Sequence, residues 1–118
     1  MTAQLVRTWV CVCSYQALLP ERGVAALVEG QQVAVFRTFD GMLHALGNQD
    51  PFSGAFVLSR GIVGSRGDAP TVASPLFKQA FDLRTGRCLS DPDVAVPVHD
   101  VRCRDGLVEV RLRVPDSS

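Results

Sequence analysis

His99-Asp100-Val101-Arg102-Cys103-Arg104-Asp105-Gly106-Leu107-Val108-Glu109-Val110-Arg111-Leu112 is two alternating runs folded about an Asp-Gly pair. Asp-Gly accepts the positive φ angles of a two-residue hairpin turn, so the pair fixes a register. That register sets Val101 opposite Val110, Cys103 opposite Val108 and His99 opposite Leu112 on one apolar face. It also sets Arg102 opposite Glu109 and Asp100 opposite Arg111, and such opposite-charge pairs support a strand ladder on its solvent side. Turn chemistry and face pattern agree, which specifies an antiparallel pair. His99 falls on the apolar face, where a hydrogen-bonded core histidine is expected.

The same strand grammar runs upstream, with β-branched runs, turn residues between them and no sustained helical period, so the class is all-β. Trp9-Val10-Cys11-Val12-Cys13 reads as a first strand, followed by a short helical turn capped by Ser14. Residues 24–29 and 32–39 flank Gly30 and Gln31 as a hairpin. Asp40-Gly41 predicts another two-residue turn, with Arg37 opposite His44, Thr38 opposite Leu43 and Phe36 opposite Ala45; His44 then lies at the surface or rim. Residues 56–70 read as a loop-bearing subdomain, and the glycines at 61, 64 and 67 as loop flexibility, since their spacing matches no phosphate-binding pattern. No strained nucleophile turn is present either.

A chain of 118 residues fits one domain, 1–118, able to bury about two-thirds of its unfolded surface. Twelve basic residues balance twelve acidic ones, which disfavours nucleic acid and anionic membrane as partners. No apolar run approaches the length of about 18 residues that a membrane helix needs. The first residues lack the pattern of an export signal, so a cytoplasmic protein with reduced thiols is expected. Cys11 and Cys13 are read as lying on one strand face, but Cys88 and Cys103 are single and distant, so packing is preferred over a metal site. Eleven of the basic residues are arginine, and Lys78 is the one lysine.

Two stretches carry the functional reading: Asn48-Gln49-Asp50-Pro51-Phe52-Ser53-Gly54-Ala55, and Ser74-Pro75-Leu76-Phe77 with Phe81-Asp82-Leu83-Arg84-Thr85-Gly86 after it. They resemble the Cys-Pro-His-x-Gly-Ala and Cys-Pro-x-His boxes of Rieske proteins, with Phe-Asp-Leu-x-Thr-Gly following the second. The four ligand positions would then be Asp50, Phe52, Ser74 and Phe77. A Rieske cluster takes two thiolates on one iron and two imidazoles on the other. Two oxygen groups and two phenyl rings supply neither, so the frame is expected without its cluster.

With Val57-Leu58-Ser59-Arg60-Gly61, Val72-Ala73-Ser74-Pro75-Leu76 and Lys78-Gln79, the chain resembles the small subunits of assimilatory NAD(P)H-dependent nitrite reductase over nearly its full length. The resemblance implies a Rieske-type antiparallel β-sandwich and a small loop-rich subdomain, approximately 47–82, whose cluster site is empty. It implies a large-subunit partner holding siroheme, an iron-sulfur cluster and FAD, and the reduction of nitrite to ammonium. It assigns no catalytic, cofactor-binding or metal residue to this chain. Phe52 and Phe77 either pack into the vacated volume, each ring worth about 1.5–3 kcal/mol if buried, or leave one ring as a docking anchor. Arg60 and Lys78 would add charge near the same tip. A stand-alone Rieske-ferredoxin-like electron carrier and a module for another protein are the alternatives.

Overall fold

Val33-Ala34-Val35-Phe36 is an unbroken apolar run, and a strand without a polar face must be covered on both sides. All four residues are buried in the computed structural model, which describes residues 8–113. Val33 and Val35 face one core, whereas Ala34 and Phe36 face another. This central strand therefore joins two layers of packing.

The described residues form nine strands: β1 (Val10–Ser14), β2 (Arg22–Val28), β3 (Gln31–Arg37), β4 (Leu43–Gly47), β5 (Ile62–Arg66), β6 (Ala69–Ala73), β7 (Ala80–Asp82), β8 (Val98–Arg104) and β9 (Leu107–Arg111). Six make an antiparallel sheet in the order β1-β9-β8-β4-β3-β2, and β5-β6-β7 make a smaller one. Val28 of β2, Val35 of β3, Ala45 of β4 and Val108 and Val110 of β9 share one core with Val10 and Val12 of β1. Both edges of the large sheet contribute, so it curls until one half lies over the other as a sandwich. The second core, with Phe36, Leu46, Leu58, Val72, Phe81 and Leu83, lies between the outer face of β3-β4 and the small sheet.

The C-terminal hairpin has the register its turn implies, including Val101 opposite Val110 and Cys103 opposite Val108. Arg102 pairs with Glu109 at 2.7 Å and Arg111 with Asp100 at 2.9 Å. Asp105 and Gly106 have φ of 53° and 78°, as a mirror-image turn requires. Ser14 accepts the N–H of Ala17 and caps a 3₁₀ turn over Tyr15–Ala17.

Three local readings are corrected. At the β3-β4 connection the pairs are Phe36 with His44 and Arg37 with Leu43, one residue away from the two-residue-turn register. Thr38 donates its N–H to Met42 and its hydroxyl to Asp40, closing a three-residue loop with Gly41 at φ 85°. The β2-β3 turn centres on Glu29 and Gly30, pairing Val28 with Gln31. The loop-bearing stretch 56–70 holds β5 and the start of β6, and Gly61, read as loop flexibility, is required by packing: a Cβ there would stand 2.4 Å from the Ala73 carbonyl oxygen.

A bulge in β1 also separates the paired thiols. Cys11 sits opposite Glu109 on the solvent face, whereas Cys13 sits opposite the buried Val108, so the single-face reading of the two is overturned. Burial raises the pKa of Cys13, with a further contribution from Cys11.

His99 is 5% exposed and its Nδ1 accepts the backbone N–H of Arg113. Burial lowers the pKa of His99, reinforced by the Arg113 charge, and burial likewise lowers that of half-buried His44 despite Asp40 and Asp82 nearby. Between a lowered folded value and the ordinary 6.5 the unfolded chain binds more protons. Stability is therefore full above pH 6.5 and falls as the pH drops toward the folded values. Urea titrations at pH 7.5 and 5.5 should show the lower stability at 5.5, and His99→Gln should reduce the difference. Equal pH dependence in the two proteins would refute the assignment to His99.

Candidate functional site: two matched loops

β4 and β6 each run into a loop that starts with an X-Pro pair, Asp50-Pro51 in loop 50–55 and Ser74-Pro75 in loop 74–79. Gly54 donates its N–H to the Asp50 carbonyl at 2.7 Å, and Lys78 donates to the Ser74 carbonyl at 3.0 Å. Asp50 donates to the Ala55 carbonyl at 2.8 Å, and Ser74 to that of Gln79 at 2.9 Å. The fifth residue of each loop is left-handed, Gly54 at φ 79° and Lys78 at φ 61°. The loops are thus twins in backbone hydrogen bonding although their sequences share only proline. For a lysine that conformation costs roughly 1–2 kcal/mol, so the surrounding bonds hold it there.

The first residues of the twins meet. Ser74 Oγ donates to Asp50 Oδ2 at 2.6 Å, with both residues fully buried. The other carboxylate oxygen, Oδ1, accepts the N–H of Phe52 at 2.9 Å. A buried carboxylate needs such donors, because an unsatisfied one costs more than an ordinary lost hydrogen bond. Two of the four candidate ligand positions therefore cross-link the loops to each other.

The other two, Phe52 and Phe77, carry the exposed apolar surface. Phe52 is 38% exposed and its ring lies 6.2 Å from that of buried Phe81, tilted by 45°. Phe77 is 59% exposed, next to Leu76 at 51%. Of the two arrangements open to the rings, packing of both into a vacated interior is not adopted: Phe52 leans on the core through Phe81, and Phe77 faces solvent. Lys78 is exposed on the same loop. Arg60 is also exposed, but it closes the 3₁₀ turn Leu58–Arg60 and lines a separate hollow with Glu21, Arg22 and Ile62. The structure brings Asp50 and Ser74 together and leaves Arg60 outside that group.

A residue the sequence reading passed over organises the first loop. Asn48 is 1% exposed; its Oδ1 accepts the N–H of Ser59 at 2.8 Å, and its Nδ2 donates to Gln32 Oε1 and the Phe56 carbonyl. One side chain thereby ties β3, the loop and the 3₁₀ turn together. Its position two residues before Asp50 was the available signal.

The sequence profile of the Rieske-like [2Fe-2S] domain matches residues 8–111, and the chain belongs to that family. Its relatives include small subunits of nitrite reductase. It is 42% identical over 104 residues to the nitrite reductase (NADH) small subunit of Salmonella typhimurium, covering 87% of this chain and 96% of that one. A crystal structure described as an NADH-dependent nitrite reductase small subunit from Mycobacterium tuberculosis superposes with a TM-score of 0.89 at 51% identity, covering 94% of this chain and 99% of that one. The nitrite reductase [NAD(P)H] large subunit of Klebsiella oxytoca contains a segment 39% identical over 104 residues, 88% of this chain but 11% of that protein.

The family's cluster can be tested against the donors at hand. Two thiolates and two imidazoles are needed, and positions 50, 52, 74 and 77 hold a carboxylate, a phenyl, a hydroxyl and a phenyl. The two oxygen donors are already engaged with each other. These residues do not fit a Rieske cluster, and no electron-transfer step is assigned to the loops.

Proposed function

We propose that this chain is the small subunit of a cytoplasmic NAD(P)H-dependent nitrite reductase, that it carries no cluster, and that it supports a large subunit holding siroheme, an iron-sulfur cluster and FAD. The observation that carries the reading is the Klebsiella oxytoca large subunit, in which a segment matching 88% of this chain is part of the large polypeptide itself. Two units that occur as one chain in a relative work side by side, and here the association would be non-covalent. The low-complexity and charged features of nucleic-acid or membrane binding are lacking in the sequence, and no helix among the described residues is long and apolar enough to cross a membrane.

On this reading the subdomain of about 47–82 serves as a rigid contact element. Phe52 and Phe77 are its proposed anchors, since exposed aromatics on a fixed backbone lose little freedom on binding. Lys78 would raise the encounter rate with an acidic partner surface, as would Arg60 from its neighbouring turn. A stand-alone electron carrier is disfavoured by the donor set.

Nitrite-dependent NAD(P)H oxidation by the large subunit, measured with and without this chain, tests the proposal. Turnover or thermal half-life is expected to rise when the chain is added, and the purified chain is expected to be colourless after iron and sulfide reconstitution. Equal activity and equal stability would sink the support role. A brown protein with Rieske-type visible bands would restore the carrier.

A further inference from the structure

The end of the large sheet that leads into the first loop also carries a groove of distinct chemistry. Leu27, Pro51, Phe56 and Pro97 line a cavity of about 540 Å³, together with the amides of Gln31 and Gln49. Leu27 is 70% exposed and Phe56 49% exposed, and none of the residues lining the groove is charged. The hollow on the opposite side, between Phe39, Met42 and the β5-β6 hairpin, is by contrast lined by charged groups of both signs, Glu21, Asp40, Asp68 and Arg84.

Strand register locates the groove relative to the path of the chain. Val33 pairs with Gly47, Leu46 with Val98, and Val10 with Val110. The start of β3, the exit of β4, the start of β8, the entry to β1 and the exit of β9 therefore lie at one end of the sheet. β1 and β4 are three strand spacings apart in the sheet order, about 15 Å if the sheet were flat. In the Klebsiella oxytoca large subunit the matching segment is a minor part of a longer polypeptide. The remainder of that protein must connect through the entry to β1, the exit of β9, or both, and so begins at the end that holds the groove.

We infer that this groove seats an uncharged, apolar segment of the large subunit, with one copy of this chain per large-subunit polypeptide. The inference rests on the small-subunit reading and adds the surface, the partner chemistry and the ratio. Leu27 and Phe56 supply apolar area, and the side-chain amide of Gln31 can pair with the backbone of an extended segment without a charge to desolvate. The one-to-one ratio follows from the relative, where each large polypeptide carries one such segment.

Leu27→Glu tests the groove, and Phe39→Glu at the opposite end of the sheet is the control; both side chains are highly exposed, so both variants should fold, checked by circular dichroism. Affinity for the purified large subunit and the mass of the complex by light scattering are the readouts. Leu27→Glu is expected to weaken binding at least tenfold, Phe39→Glu to leave it within twofold, and the wild-type complex to have a one-to-one mass. Wild-type affinity in Leu27→Glu, or loss confined to Phe39→Glu, overturns the groove while leaving the subunit assignment intact. A ratio other than one to one overturns the stoichiometry. Absence of any wild-type complex overturns both the inference and the reading beneath it.

Discussion

Gly86→Ala is expected to lower the unfolding free energy by about 3–5 kcal/mol, a loss that few single substitutions reach. Gly86 has φ 76°, and a Cβ placed on it would stand 2.1 Å from the Val96 carbonyl oxygen and 3.0 Å from Val98 Cγ2. The backbone cannot move aside, because the Gly86 N–H donates to Asp82 at 2.7 Å and its carbonyl accepts Val96 N–H at 2.8 Å. The turn it closes holds Phe81 and Leu83 in the core against which Phe52 leans. Gly54→Ala is the matched control: its φ is 79°, but nothing lies within 4 Å of the added carbon, so only the conformational cost of about 1–2 kcal/mol is expected. Urea titrations of both variants at pH 7.5 separate clash from conformation. Equal losses in the two would show that the approach to Val96 does not matter.

How far the sequence could be read depended on whether one or two kinds of signal coincided. The Asp105-Gly106 hairpin was legible to the residue because its turn type and its charge pairs pointed to the same register. Asp40-Gly41 carries the same dipeptide, yet a side chain two residues before it, the Thr38 hydroxyl bonded to Asp40, lengthens the turn by one. The β5-β6 hairpin was hidden because glycine and proline were read as loop, whereas Gly61 marks a close approach and Pro70 sits opposite Ser65 in the ladder.

At the site, the four ligand positions could be located from the X-Pro boxes, but their contacts could not. A cross-link between Asp50 and Ser74 needs the positions of two loops 24 residues apart in sequence. The direction of each phenyl ring depends on the core beneath it, and only the fold shows that Phe81 lies under Phe52. Lys78 at a left-handed position is likewise invisible in sequence, since lysine gives no hint of positive φ. The twin construction of the loops emerges from backbone bonds, which the two dissimilar sequences satisfy separately.

The Asp50–Ser74 pair is expected to behave as one energetic unit. Ser74→Ala should cost about 2–3 kcal/mol, since it removes a donor from a fully buried carboxylate. Asp50→Ala should cost a similar amount, as it strands the Ser74 hydroxyl and the Phe52 N–H. The double variant should cost well under the sum, by a coupling energy of about 1.5–3 kcal/mol, because the second change removes a group that the first has already left unpaired. Asp50→Asn keeps an acceptor for one donor and should retain part of the stability. The reason for the size of the effect is topological: with no thiolates at positions 50 and 74, this hydrogen bond is the contact that ties the first residue of one loop to the first residue of the other. If it holds the loops in register, the double variant should also bind the large subunit more weakly than its stability loss alone requires, through disordered Phe52 and Phe77. Strictly additive single-variant losses in urea titrations, together with unchanged binding, would mean that the loops are fixed by their own backbone bonds and that the bridge only fills space.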